Sequence, residues 1–301
     1  MVASQAFGSE ETRITAPLRG ALRALTAEQR LAYEGDGFIA LEGWIDEEWL
    51  VRLRAITAEC VEQSRGVDAS NAVFDLEPSH TAERPRLRRL VSPVDQHEAY
   101  WEFARDAVLV DVVEDLIGQD LKFHHGKLNF KAPGGGEEVK WHQDIQFWPH
   151  TNFSPLTIGV FLYDVEPDMG NVGFVPGSHL EELFDQYDGE DWVGCVSERD
   201  LKRVALERAV FPTGPAGTVT VHNCRTVHGS APNRSQRERP LLLQTYVPAD
   251  AFSYTEIARQ SPRGETLIRG APARWARHDP RPCQVGPSRA RTIFEVQQRE
   301  R

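Results

Sequence analysis

Paired cysteines, a long apolar run and an excess of positive charge are all missing from this 301-residue chain. Its four cysteines, Cys60, Cys195, Cys224 and Cys283, lie far apart, and no CxxC pair exists. That speaks against a zinc ribbon or a thioredoxin-type motif and favours reduced thiols in a cytosolic protein. No apolar stretch approaches the roughly 20 residues of a membrane span. The first residues lack a basic segment followed by an apolar one, so no signal peptide is expected and the protein is read as cytoplasmic. The net charge is −11, which argues against nucleic acid or an anionic membrane as partner, because both demand basic surface. Lysine is scarce, with five among 34 basic residues, and four of the five (Lys122, Lys127, Lys131 and Lys140) fall in one short stretch. A hydrophobic fraction of 40% and a charged fraction of 26% are ordinary for a chain with one large core.

Residues 1–20 lack hydrophobic periodicity and are expected to be mobile. Thr26-Ala27-Glu28-Gln29 is a capping box, so a short helix should start there and stop at Gly35-Asp36-Gly37. Phe38–Leu41 reads as a strand. Trp49, Leu50, Leu53, Ile56 and Cys60 recur at helical spacing from Asp46, which predicts an amphipathic helix ending near Gly66. Residues 67–95 are polar and carry Arg84, Arg86, Arg88 and Arg89; they read as a long solvated loop with short strands, long enough to serve as a lid. A single helix is predicted over His97–Ile117, stopped by Gly118.

Beyond Gly118 the pattern changes to short apolar strands, over about 120–131, 139–144, 156–164, 172–176, 217–222 and 240–247. Helices first and strands after give a mainly β, α+β class, with a double-sheet jelly roll as core. The main domain is placed at 21–255. The Arg-rich segment 256–301, broken by prolines, reads as an arm packed on or near it.

Trp141-His142-Gln143-Asp144 carries the most chemistry. On a strand, residues i and i+2 share a face, so His142 and Asp144 reach one metal while Gln143 points away. With one distant histidine they supply two imidazoles and a carboxylate, leaving open positions as non-haem Fe(II) oxygenases require. His228 is the candidate third ligand: it is followed by Gly229-Ser230 and lies six residues after His222, at the end of another predicted strand. His124, His125 and His222 stay open on spacing alone; His80, His97, His150 and His278 read as surface or structural residues, and His179 as a turn stabiliser. Arg239 opens an apolar strand, where a charge needs a partner, and a guanidinium matches a carboxylate bidentately. Spacing does not choose between Arg234, Arg237 and Arg239.

Four stretches in order resemble the phytanoyl-CoA dioxygenase family. They are Glu34-Gly35-Asp36-Gly37-Phe38-Ile39-Ala40-Leu41, Trp141-His142-Gln143-Asp144, Gly173-Phe174-Val175-Pro176-Gly177-Ser178-His179 and His228-Gly229-Ser230-Ala231-Pro232-Asn233-Arg234-Ser235. One departure is Gly170-Asn171-Val172-Gly173, where the family usually has Asn-Gly. The resemblance spans residues 26 to about 250 and implies a double-stranded β-helix core (cupin-like) with N-terminal helices packed on one sheet. It also implies that His142, Asp144 and His228 bind Fe(II), and that Arg239 and Ser230 hold the distal carboxylate of 2-oxoglutarate.

Lys127, Asn129 and Lys131 alternate along one strand; Asn129 and Lys127 are the candidates for the co-substrate's other end. Thr157, with Phe161 four residues on, falls in the stretch that lines the co-substrate pocket in relatives. Gln146, Trp148, Lys131 and Phe161 are candidate substrate-lining residues, and core packing is the rival reading for Trp148. The implied chemistry uses Fe(II), 2-oxoglutarate and O2 to oxidise an unactivated C–H bond of a small-molecule metabolite, releasing succinate and CO2. Hydroxylation is the first expectation, and desaturation, cyclisation, epimerisation or acyl-CoA hydroxylation the alternatives. Asp144 argues against halogenation, where a small residue stands in its place. A metal-dependent hydrolase or a non-catalytic sensor on the same barrel are the rival classes.

Overall fold

The structure, a computed structural model, describes residues 21–255, 261–286 and 293–297; the mobile N-terminus expected over 1–20 lies outside them. Helix α1 (Ala27–Asp36) starts at the Thr26–Gln29 capping box and ends at Gly37, whose φ of 80° makes it a left-handed cap. Strand β1 (Phe38–Leu41) follows, and then α2 (Glu47–Gln63), capped by Asp46 and burying Leu50, Leu53, Ile56 and Cys60. The hairpin β2 (Phe74–Leu76) and β3 (Leu87–Val91) leads into α3 (Pro93–Gln96), α4 (Glu98–Ala104) and α5 (Ala107–Ile117). The strand-rich half comprises β4 (Leu121–Asn129), β5 (Val139–His142), β6 (Leu156–Phe161), β7 (Val172–Phe174), β8 (Tyr187–Asp188) and β9 (Asp191–Trp192). After α6 (Glu198–Leu201) come β10 (Val219–Asn223), β11 (His228–Ser230), β12 (Leu241–Pro248), β13 (Leu267–Arg269) and α7 (Ile293–Gln297).

The large sheet runs β1-β10-β6-β12-β4-β3-β2, with β13 also on β4; a small sheet runs β5-β11-β7; every pairing is antiparallel. These are the two sheets of a jelly roll. Register decides what each face carries. Leu242 pairs with Leu128 and Val160, and Val221 with Ile158. These residues join Leu53, Leu109, Val112 and Leu116 in the principal core, so the helices cover that face. The opposite face carries the cross-strand row Lys127, Leu243, Gly159 and Thr220, and beside it the row His125, Thr245, Thr157 and His222. A Cβ on Gly159 would lie 2.7 Å from Thr220 Oγ1, so this position needs glycine for close approach.

Three expectations need correction. The single helix over His97–Ile117 is two helices, because Asp106 accepts from Val108 N and starts a new one. The short strands expected over residues 67–95 are present as β2 and β3, but the arginines there are not simply solvated: β3 pairs with β4, Arg86 pairs with Glu77 at 2.8 Å, and Arg88 pairs with Glu137 and with Asp75 at 3.8 Å. His228 does not end a strand. Asn223 Oδ1 accepts from Arg225 N and turns the chain, and His228 opens β11 in the other sheet.

The C-terminal segment packs on the same body through Arg269 to Asp111 and Glu114, Arg263 to Glu98, and Arg277 to Asp250. Among the described residues all four cysteines are free, and no helix is long and apolar enough to cross a membrane.

Candidate metal centre

His142 and His228 face each other directly across β5 and β11, with ring centroids 4.1 Å apart. Gln143 is extended (φ −119°, ψ 125°), which carries the same-face relation of His142 and Asp144 past the strand's end; Asp144 itself begins a 3-10 turn rather than continuing the strand. Asp144 Oδ1 lies 3.5 Å from His142 Nε2 and 3.7 Å from His228 Nε2. The three ligand atoms all lie within 4.8 Å of one another, and all three residues are buried. Gln143 turns away as expected, donating to Arg225 O and accepting from Phe184 N.

The second ring nitrogens fix the tautomers. His142 Nδ1 donates to Lys140 O and His228 Nδ1 to Thr226 O, each at 2.9 Å. Both Nε2 atoms therefore present lone pairs to the same point, as metal-bound histidines do. Burial alone would raise the Asp144 pKa, but His228, then His142, His222 and Lys127, outweigh it and hold the carboxyl well below its ordinary range. Burial, then the neighbouring His142, lowers His228 well below an ordinary histidine. An ionised carboxylate with neutral imidazole is the state in which these groups bind a cation. The donor set thus fits Fe(II).

His222, open on sequence spacing, stands on β10 with Nε2 3.5 Å from Asp144 Oδ2. Thr157 Oγ1 lies 3.4 Å from the same oxygen and 2.9 Å from Thr245 Oγ1. The large sheet therefore orients the carboxylate that the small sheet's histidines face.

A cavity of about 690 Å3, its mouth included, opens on this cluster; ligand sites commonly measure roughly 300–1,000 Å3. Of the expected co-substrate residues, Arg239, Ser230, Asn129, Lys127 and Thr157 all line it, and so does Lys131. Arg239 is 3% exposed. Its Nη2 donates to Gly170 O at 2.7 Å, while Nε and Nη1 have no partner. Burial lowers its pKa to about 10, so it stays charged at neutral pH. Gly170 has φ 69°, and a Cβ there would lie 2.6 Å from Ala231 O. The reordered Gly170-Asn171 turn thus places a carbonyl against Arg239.

Gln146, Trp148 and Phe161 do not line the cavity. Gln146 donates to Phe184 O and to Gln143. Trp148 packs with Ile145, Phe153 and Cys224. Phe161 is on the inward face but packs against Val165, Leu241 and Leu243. Sequence reasoning missed Phe174, Leu241 and Leu243, which line the cavity, and Phe294 of α7. Cross-strand register carries the signal for the first three; the arm has no periodicity that marks Phe294.

Lys131 donates to Ser230 O at 3.1 Å and to Ala231 O. Burial, then the Arg239 charge, lowers its pKa from 10.5 to about 7. Between those values the unfolded chain keeps a proton that the folded chain has lost, so stability rises with pH across that window. Without co-substrate, the protein should be more resistant to denaturant at pH 9 than at pH 7, and Lys131→Met should lose most of that gain. Equal midpoint differences in both proteins would contradict the assignment.

The phytanoyl-CoA dioxygenase family profile matches residues 33–241. The probable alpha-ketoglutarate-dependent hypophosphite dioxygenase of Stutzerimonas stutzeri is 33% identical over 232 residues, covering 75% of this chain and 80% of that protein. An ectoine dioxygenase of Sphingopyxis alaskensis is 27% identical over 265 residues, covering 83% and 85%. The iron-bound crystal structure of EctD from S. alaskensis superposes with a TM-score of 0.69 at 24% identity, covering 91% of this chain and 94% of that one.

Proposed function

The chain belongs to the phytanoyl-CoA dioxygenase family, and from that membership we propose that it is an Fe(II)- and 2-oxoglutarate-dependent dioxygenase acting on a compact small molecule. His142, Asp144 and His228 would hold the iron, which when bound supplies O2 activation and the redox chemistry. The protein's own part is to bind, orient and exclude water. Arg239 and Ser230 take the distal carboxylate of 2-oxoglutarate, and Asn129, Lys127 and Thr157 line the path from there to the triad. Leu241, Leu243 and Phe174 supply the apolar wall. Hydroxylation of a C–H bond, with release of succinate and CO2, is the preferred outcome.

The observation that carries this reading is the buried, half-unpartnered guanidinium of Arg239 in the same cavity as the triad. A buried charge without a counter-ion is costly; a co-substrate carboxylate supplies one. A hydrolase has no use for it, and a non-catalytic sensor need not keep both it and the triad. Co-substrate and substrate would share this one cavity, which favours a compact substrate. A CoA-borne acyl group needs a basic mouth, and Arg86 and Arg88 are already paired with Glu77, Asp75 and Glu137.

Anaerobic titration with Fe(II) and 2-oxoglutarate tests the reading. The weak visible charge-transfer band of the chelate should appear in the wild type and not in His142→Ala. Iron bound with no band in the wild type would end the dioxygenase reading. Succinate release across a panel of small metabolites then finds the substrate.

A further inference from the structure

A second group of ligating side chains stands apart from the triad. His124, His150 and Glu265 each present a ligand atom, and these atoms lie within 4.8 Å of one another. The two histidines are 3% and 1% exposed, and their Nε2 atoms are buried without a hydrogen-bond partner. Their other nitrogens are engaged: His150 Nδ1 with Trp148 O at 2.6 Å, and His124 Nδ1 with His125 Nδ1 at 2.5 Å. Lys122 Nζ takes Glu265 Oε2 at 2.5 Å, which leaves Oε1 for a ligand.

Two backbone irregularities converge on this spot. The β4–β12 register shifts between Thr245 and Tyr246, which pair with His125 and Phe123, so His124 is the extra residue of a bulge. Bulges re-aim side chains; here His124 and His125 become edge-to-face neighbours, and His124 also meets the ring of His150. Glu265 has φ 63°, one of two non-glycine residues with positive φ among those described. Such backbone persists where the surroundings over-determine it.

We propose that His124, His150 and Glu265 form a second divalent-metal site of the zinc class, separate from the iron centre. Two imidazoles and a carboxylate are a borderline donor set suited to Zn2+ or Co2+, with a solvent water completing a tetrahedron. Glu265 is solvent-exposed and the histidines are not, so the ion enters from the Glu265 side. His124 lies on β4, His150 follows the triad's loop, and Glu265 precedes β13. An ion there pins the C-terminal segment across β4 and fixes the chain just beyond Asp144.

The test uses full-length protein stripped of metal, with the iron site removed by His142→Ala/His228→Ala, and Co2+ as the probe. One saturable equivalent should remain, with the intense visible bands of four-coordinate Co2+, and Zn2+ should displace it and raise the Tm. Adding Glu265→Gln, at an exposed position that keeps the fold by circular dichroism, should weaken binding about tenfold or more. His150→Gln should act alike. A folded iron-site variant with no saturable equivalent would overturn the proposal. So would an equivalent whose affinity is indifferent to both substitutions.

Discussion

Arg239→Met should raise the KM for 2-oxoglutarate by about 30- to 4,000-fold and leave kcat at saturating co-substrate within about tenfold. Truncating one partner of a buried charge pair costs about 2–5 kcal/mol, and every ~1.4 kcal/mol is tenfold in affinity. The split falls on KM because the guanidinium positions the co-substrate and touches no reacting atom. The same substitution should leave the co-substrate-free protein as stable or more stable. Arg239 is buried with Nε and Nη1 unpartnered. Replacing buried charge with apolar volume is often neutral or stabilising by about 1–4 kcal/mol; the lost bond to Gly170 O offsets part of that gain. Arg239→Lys should rescue little, since an ammonium does not reproduce the planar fork. Steady-state kinetics against 2-oxoglutarate and a thermal melt of each protein decide it. An unchanged KM would remove Arg239 from the co-substrate site.

Asp144→Asn should lower turnover by at least about 1,000-fold, or ~4 kcal/mol, with the fold intact. The amide keeps the shape of the side chain and its contacts to Thr157 and His222 but loses the charge. That charge persists at any physiological pH, because the carboxyl is held well below its ordinary range. Two neutral imidazoles then face the cation with no anion. Iron content after anaerobic reconstitution should fall in step with succinate release. Full iron loading with normal turnover would place the carboxylate ligand elsewhere. Asp144→Glu is the companion: it keeps the charge, lengthens the arm, and should recover part of the iron affinity.

Much of this was legible locally. Thr26 and Gln29 specify a helix start by themselves, because both partners of the capping box lie within one turn. The spacing of Leu50, Leu53, Ile56 and Cys60 specifies the buried stripe of α2. His142 and Asp144 share a face because extended backbone alternates, and that relation survives although the strand stops at His142. The same alternation put Lys127 and Asn129 on one face. It misled at Gln146 and Trp148, because the chain leaves extended geometry at Asp144 and parity ends with it. The helix over His97–Ile117 failed for a local reason too: an internal Asp serves as readily for a cap as for a solvated face, and Asp106 caps.

The sequence by itself determined the donor types, the order of helices and strands, the start and stop of α1 and the family membership. Each is written in residues a few positions apart or in motifs kept in order. Only the tertiary structure decided that His222 and Thr157 stand against Asp144 from the opposite sheet. It alone decided that Arg239 enters the cavity unpaired while Arg86 and Arg88 find carboxylates. It also brought Phe294 to the cavity wall and Glu265 to His124 and His150. These contacts join residues from about ten to about 150 positions apart. They depend on strand register, and a one-residue slip sends every side chain to the other face. Register is set by packing the whole barrel against its helices, a property of the folded chain that no short stretch carries.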